Sequence, residues 1–166
     1  EKVVKELSKD TLNIVLVGMP SCGKSTVGGL LAKALNKEFI DTDAVIESRY
    51  GSIPTIFAER GEKYFRQLES AIIKEVGALS GKIIATGGGA VKDKENYFPL
   101  KQNAKIFYIE RAVDKLVCDG RPLSKDMDTV KKLYEERKDL YEFFADVKVD
   151  NNSDAEKVVE GVINSL

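Results

Sequence analysis

Residues 12–26 read LNIVLVGMPSCGKST, and their reading decides the fold. Leu12 to Val17 is a short apolar run, rich in β-branched residues, of the kind that forms a buried strand. Gly18-Met19-Pro20-Ser21-Cys22-Gly23-Lys24-Ser25 then matches the phosphate-loop pattern GxxxxGK[ST] in full. A helical pattern starts near Gly23, with Val27, Leu30, Leu31 and Leu35 on one face. A buried strand, a glycine-bounded turn and a helix N-terminus form the setting in which such a loop works. Its glycines let backbone N–H groups turn inward around phosphate oxygens, and the helix end adds positive potential. On this reading Pro20, Ser21, Cys22 and Gly23 cradle ATP phosphates and Lys24 reaches the β- and γ-phosphates. The Ser25 hydroxyl ligates Mg²⁺, and Thr26 contacts the α-phosphate side. The bland alternative is a glycine-containing turn with a surface Lys, whose chance match in a chain of 166 residues is on the order of one in a hundred.

Outward from the loop, strands and helices alternate. Phe39 and Ile40 lead into Asp41-Thr42-Asp43 as a second strand end, and Ser52 with Pro54 reads as a helix start. Phe65, Leu68, Ile72, Val76 and Leu79 mark the apolar face of a longer helix from Glu62. Residues 82–85 and 105–109 are a third and a fourth strand, the third closed by Gly87-Gly88-Gly89. A short helix at 113–117, a polar loop at 119–126, a helix at about 128–144, a fifth strand at 147–149 and a last helix at 155–163 complete the pattern. This alternation predicts an α/β chain, a parallel sheet covered by helices on both sides in three αβα layers.

Composition narrows the function. Apolar residues make up 43%, enough for one sizeable core. Net charge is −1 with no basic run, which argues against nucleic acid as a main partner. No apolar run approaches the roughly 20 residues of a membrane helix, so no membrane association is expected. The two cysteines, Cys22 and Cys118, form no CxxC pair and suit a reducing, cytoplasmic setting. Histidine is absent, which removes histidine bases, triads and metal ligands. Residues 1–11 are expected to be a charged extension or linker and 12–166 a single domain. That domain is expected to act as a monomer or as part of a larger polypeptide.

Several residues outside the loop carry chemistry. Asp41 and Asp43 alternate at a strand end, so both can project to one side with Thr42 turned away. Such a pair suits one oxyanion that orients a hydroxyl and another that holds Mg²⁺ through water; a helix-cap Asp beside a solvated one is the alternative. Arg137 shares the spacing of Leu133, Leu140 and Phe144 and therefore lies on an apolar face. A guanidinium there either meets an anion or snorkels out. Arg66 has Glu62 four residues before it and Glu69 three after, so either can brace it, as a binding arginine or as an ordinary surface pair. Arg121, before Pro122 in the polar loop, is either a residue that closes over phosphates or a solvated one. Gly87, Gly88 and Gly89 allow close backbone approach to a ligand, or simply form a turn.

The ordered set GMPSCGKST at 18–26, DTD at 41–43, FAERGEKYFRQLE at 57–69, GGGA at 87–90, RPL at 121–123 and RKDLY at 137–141 resembles the shikimate kinase family over about residues 12–165. The resemblance implies ATP-dependent phosphorylation of the shikimate 3-hydroxyl. It also implies a nucleoside-monophosphate-kinase-like fold with a five-stranded parallel sheet in the order 2-3-1-4-5. Carried onto this sequence, Asp43 contacts the shikimate hydroxyls and acts as or orients the base, and Asp41 serves the magnesium shell. Arg66 and Arg137, with Gly88 and Gly89, hold the shikimate carboxylate; Gly87 adjoins them and Glu69 braces Arg66. Arg121 meets the ATP phosphates from a lid at about 119–127, opposite a shikimate-binding region at about 42–70. The resemblance is least complete on the adenine side. There, residues 117–119 and 151–154 read VCD and NNSD where the family often places basic residues. Two rival readings remain: another small hydroxy-acid kinase such as a gluconate kinase, and a non-catalytic nucleotide-binding module.

Overall fold

The computed structural model describes residues 2–116 and 127–166. In chain order its elements are α1 (Lys2–Thr11), β1 (Asn13–Val17), α2 (Lys24–Leu35), β2 (Phe39–Asp41), α3 (Thr42–Tyr50), α4 (Ile53–Arg60) and α5 (Glu62–Gly77). There follow β3 (Ile83–Ala85), 3₁₀ turns at Ala90–Lys92 and Lys94–Asn96, α6 (Tyr97–Lys101), β4 (Ala104–Glu110), a 3₁₀ turn at Val113–Lys115, α7 (Met127–Phe144), β5 (Val147–Asp150) and α8 (Ala155–Asn164).

The five strands form one sheet in the order β2-β3-β1-β4-β5, every neighbouring pair parallel. This is the expected order, with helices on both sides. A central strand covered on both faces has no solvent side, so it reads as a continuous apolar run rather than an alternating one. β1 obeys this: all five of its residues are buried. Ile83, Ile84, Ile106 and Phe107 of the flanking strands are fully buried beside it. α2 packs against α8, and α5 against α6. Gly28 lets α2 close onto β2, because a Cβ there would sit 2.2 Å from the Phe39 ring.

Residues 2–11, within the expected extension or linker, are helical. They contain no glycine or proline and are rich in lysine, a good helix former. The end of that helix is tied to the domain: Gly81 N–H and the Asn103 side-chain amide donate to the Thr11 carbonyl at 2.8 and 2.9 Å. The second strand stops at Asp41, and Thr42 opens α3 instead of continuing the alternation. The signal for that helix is weak because its buried positions are Thr42 and Ile46 alone. α6 and the 3₁₀ turns before it also lie where no element was expected.

Candidate active site

Three strand ends meet at one edge of the sheet. β1 delivers the phosphate loop, its neighbour β3 delivers Gly87 to Gly89, and β2 beyond it delivers Asp41 and Asp43. In parallel α/β sheets ligands bind beyond the carboxyl ends of the strands, near where the strand order reverses. A cleft of about 740 Å³ lies here, lined by the loop from Pro20 to Thr26 apart from Cys22, by Asp41 and Asp43, and by Arg66, Glu69, Gly87 to Gly89 and Arg137. The expected site residues within the described chain thus come together, save that the buried Cys22 lies behind the cleft surface. Arg121, Cys118 and nearly all of the expected lid lie outside the described residues.

The loop is built for anions. Ser21 (φ 67°) and Gly23 (φ 98°) take left-handed backbone, and α2 starts immediately after. Lys24 is 8% exposed, and its ammonium donates to the Gly18 and Met19 carbonyls at 2.8 Å each. Gly18 is required by close packing, since a Cβ there would sit 2.5 Å from the Ile109 carbonyl oxygen. Ser25 donates its hydroxyl to Asp41 Oδ2 at 2.9 Å, which joins the end of β2 to the first turn of α2.

The aspartate pair differs from the expected alternation. Asp41 is the N-cap of α3: its Oδ1 accepts from the N–H groups of Asp43 and Ala44 at 2.9 and 3.3 Å. The capping alternative therefore holds for Asp41, yet its Oδ2 still faces Ser25. Thr42 is buried, and its hydroxyl accepts from Gly87 N–H at 3.3 Å. Asp43 stands in the first turn of α3 with one carboxyl oxygen buried and without a hydrogen-bond partner in the protein. Burial and the Asp41 charge push its pKa above the usual carboxylate range, while Lys24 and Arg66 pull it back.

Opposite lies a cationic pocket. Glu69, 1% exposed, accepts from Arg66 Nη1 at 2.9 Å, and Glu62 accepts from the same guanidinium at 3.3 Å. Burial raises the Glu69 pKa, and the Arg66 charge opposes that shift. Arg137 on α7 is only 6% exposed, and its Nε has no partner in the protein. Tyr141, one turn along, donates its hydroxyl to the Gly88 carbonyl at 2.6 Å. A Cβ on Gly89 would sit 2.4 Å from the Arg66 guanidinium, and one on Gly87 would sit 2.7 Å from Asp43 Oδ1. The glycine triplet thus lets Asp43, Glu69 and Arg66 crowd against backbone. One buried guanidinium, Arg137, and one partly exposed, Arg66, beside bare backbone match a small carboxylate, which accepts bidentate contacts from them.

A family model described as Shikimate kinase matches residues 20–166. The chain belongs to the shikimate kinase family. A shikimate kinase from Clostridium botulinum is 41% identical over 151 residues, covering 88% of this chain and 92% of that protein. The shikimate kinase from Acinetobacter baumannii, solved in complex with shikimate, superposes with a TM-score of 0.87 at 30% identity and covers 96% of this chain and 97% of its own. A gluconokinase from Sinorhizobium meliloti reaches a TM-score of 0.58 at 15% identity, over 92% of this chain and 89% of its own, a likeness of fold alone.

The structure also brings to the cleft and the loop residues to which sequence reasoning gave no site role. Ile53, Phe57 and Phe65 give the shikimate kinase cleft an apolar wall. Phe57 and Phe65 pack with ring centroids 4.8 Å apart, a contact legible only once α4 and α5 are known to fold against each other. Arg111 and Asn151 touch the phosphate loop from outside it, at 3.1 Å from the Ser21 carbonyl and 2.7 Å from the Cys22 carbonyl.

Proposed function

We propose that this shikimate kinase family member transfers the γ-phosphoryl group of ATP to the 3-hydroxyl of shikimate, giving shikimate 3-phosphate and ADP. The observation that carries the reading is Arg137: a guanidinium 6% exposed, with an unpartnered Nε, in the same cleft as a complete phosphate loop and a buried aspartate. A buried guanidinium whose Nε finds no acceptor is costly, and an anion in the cleft would supply one. The carboxylate of shikimate answers Arg137 and Arg66, with the backbone at Gly88 and Gly89 close by.

Phosphoryl transfer asks a protein mainly for positioning and charge neutralisation. Asp43 takes the proton of the attacking hydroxyl; its raised pKa makes it a stronger base than an exposed aspartate. Pro20 to Gly23 and Thr26 hold the phosphates, and Lys24 leaves its two loop carbonyls for the β- and γ-phosphates. Ser25 and Asp41 suit Mg²⁺: they are hard oxygen donors already 2.9 Å apart at the cleft, with a single carboxylate, as a mostly hydrated ion bound through phosphates requires. When bound, Mg²⁺ neutralises charge on the phosphate oxygens. By the same family likeness Arg121 completes the cationic clamp. ATP with magnesium and shikimate are the partners; the protein acts in the cytoplasm.

The test is shikimate-dependent ADP release, run against a panel of hydroxy acids that includes gluconate. ADP release with shikimate well above the panel is the expected result. A preference for gluconate would favour the sugar-acid kinase reading, and no turnover with retained ATP would favour a binding module.

A further inference from the structure

The turn between β1 and α2 carries a cost. Ser21 is held at φ 67° although it has a Cβ, and such a residue stays left-handed only where its surroundings fix it. Two side chains from outside the loop do so. Arg111, just past the end of β4, donates from Nη1 to the Ser21 carbonyl at 3.1 Å. Asn151, just past the end of β5, donates from its amide to the next carbonyl, that of Cys22, at 2.7 Å. Neither residue lines the cleft, whereas Ser21, Gly23 and Lys24 do. Both reach the loop from strand exits outside that cleft. Gly23 belongs to the same fit, because a Cβ there would sit 2.4 Å from the Asn151 amide nitrogen.

Across a trans peptide, the carbonyl and the following N–H point in opposite directions. Holding the Cys22 carbonyl on the far side turns the Gly23 N–H toward the cleft. Holding the Ser21 carbonyl steadies the turn that Cys22 N–H closes onto the Met19 carbonyl at 3.2 Å. The two side chains share one braced platform. Asn151 N–H donates to the Glu110 carbonyl at 2.7 Å, the Asn152 side chain accepts from Ala112 N–H at 2.6 Å, and Lys115 donates to the Asn152 carbonyl.

We propose that Arg111 and Asn151 are positioning residues for phosphate binding: from the exits of β4 and β5 they hold two consecutive loop carbonyls outward, so that the loop meets the nucleotide phosphates already shaped. This rests on the loop being the nucleotide site and adds residues outside the GxxxxGK[ST] pattern to it. Arg111 also places a positive charge behind the loop, with its Nε buried and unpartnered.

The experiment is calorimetric titration of the full chain with Mg-ADP, with Mg-tripolyphosphate and with shikimate, for wild type, Arg111→Met, Arg111→Lys, Asn151→Ala and Asn151→Asp. The aspartate keeps the asparagine shape but turns an oxygen on the Cys22 carbonyl. Each lost hydrogen bond is expected to weaken ADP and tripolyphosphate by the same factor, roughly three- to tenfold, with shikimate affinity unchanged. Arg111→Lys is expected to recover part of the loss. Variants equal to wild type for both phosphates overturn the assignment alone. Loss of ADP affinity with tripolyphosphate untouched also overturns it, by making these residues adenosine contacts. A wild-type chain that binds neither phosphate overturns the nucleotide site and this assignment with it.

Discussion

Burial and the neighbouring Asp41 hold the Asp43 carboxyl above its ordinary pKa, which suits the base role proposed for it. The sign for stability follows. A carboxylate whose folded pKa is raised destabilises the fold when ionised; the penalty is present above the folded pKa and vanishes below the unfolded value of about 4. Asp43→Asn is therefore expected to melt above wild type at neutral pH, with the difference shrinking to nothing as pH falls through the acid range. Its kcat is expected to drop by about 10²-fold or more. Thermal melts across that pH range decide the matter, and an asparagine variant that melts below wild type at neutral pH contradicts the burial argument. Arg137→Ala is expected to weaken shikimate by about 2–5 kcal/mol with nucleotide affinity unchanged, which a shikimate KM close to wild type would refute. Arg137 was legible in the sequence because a charge on an apolar helical stripe stands out against its neighbours. The Asp41–Asp43 spacing was misleading, since period-two alternation holds only while the strand continues and Asp41 caps a helix instead. Arg111 gave no signal, and Asn151 only its place in the adenine-side segment 151–154: each is a polar residue at a strand exit, and its contact with the loop exists only through the sheet order.

At the level of elements, the sheet wrote itself into the chain and the small helices did not. Strands covered on both faces need continuous apolar runs, so β1, β3 and β4 were readable from residues 12–17, 82–85 and 105–109. α3 buries only Thr42 and Ile46, too few positions to set a period. α5 is the opposite case: Phe65, Glu69, Ile72, Ile73 and Val76 form a buried stripe, and Glu69 occupies it because Arg66 and the cleft lie beside it. The end of α5 is also where packing is tightest. A Cβ on Gly77 would stand 2.1 Å from the Pro99 carbonyl oxygen, and backbone cannot swing aside as a side chain can. Gly77→Ala is thus expected to cost about 1–3 kcal/mol. For a domain of this size that is a fall in Tm of roughly 2–4 °C per kcal/mol. Scanning calorimetry checks it, and kcat below the transition is expected to stay near wild type because Gly77 lies away from the cleft residues.

At the scale of the whole molecule, the two proposed ligand sites rest on different supports. The phosphate loop belongs to β1 and α2 and is fastened from β4 and β5. The carboxylate pocket is made by α5, α7 and the glycine triplet after β3, and Asp43 sits between. Each ligand should then stabilise the fold through its own set of contacts, and the two contributions should be separable. A ligand at 100 times its Kd adds about 2.7 kcal/mol, equivalent to a Tm rise of roughly 5–10 °C for a chain of this size. Wild type is expected to show such a rise with Mg-ADP and with shikimate, each given alone. Lys24→Met removes the ammonium that now holds the Gly18 and Met19 carbonyls, so it should abolish the Mg-ADP rise and keep the shikimate rise. Arg137→Ala should do the reverse. If either substitution erased both rises, the two sites could not be the separately supported halves that the sheet order makes them. Phosphoryl transfer across Asp43 would then need a cleft that assembles as one unit.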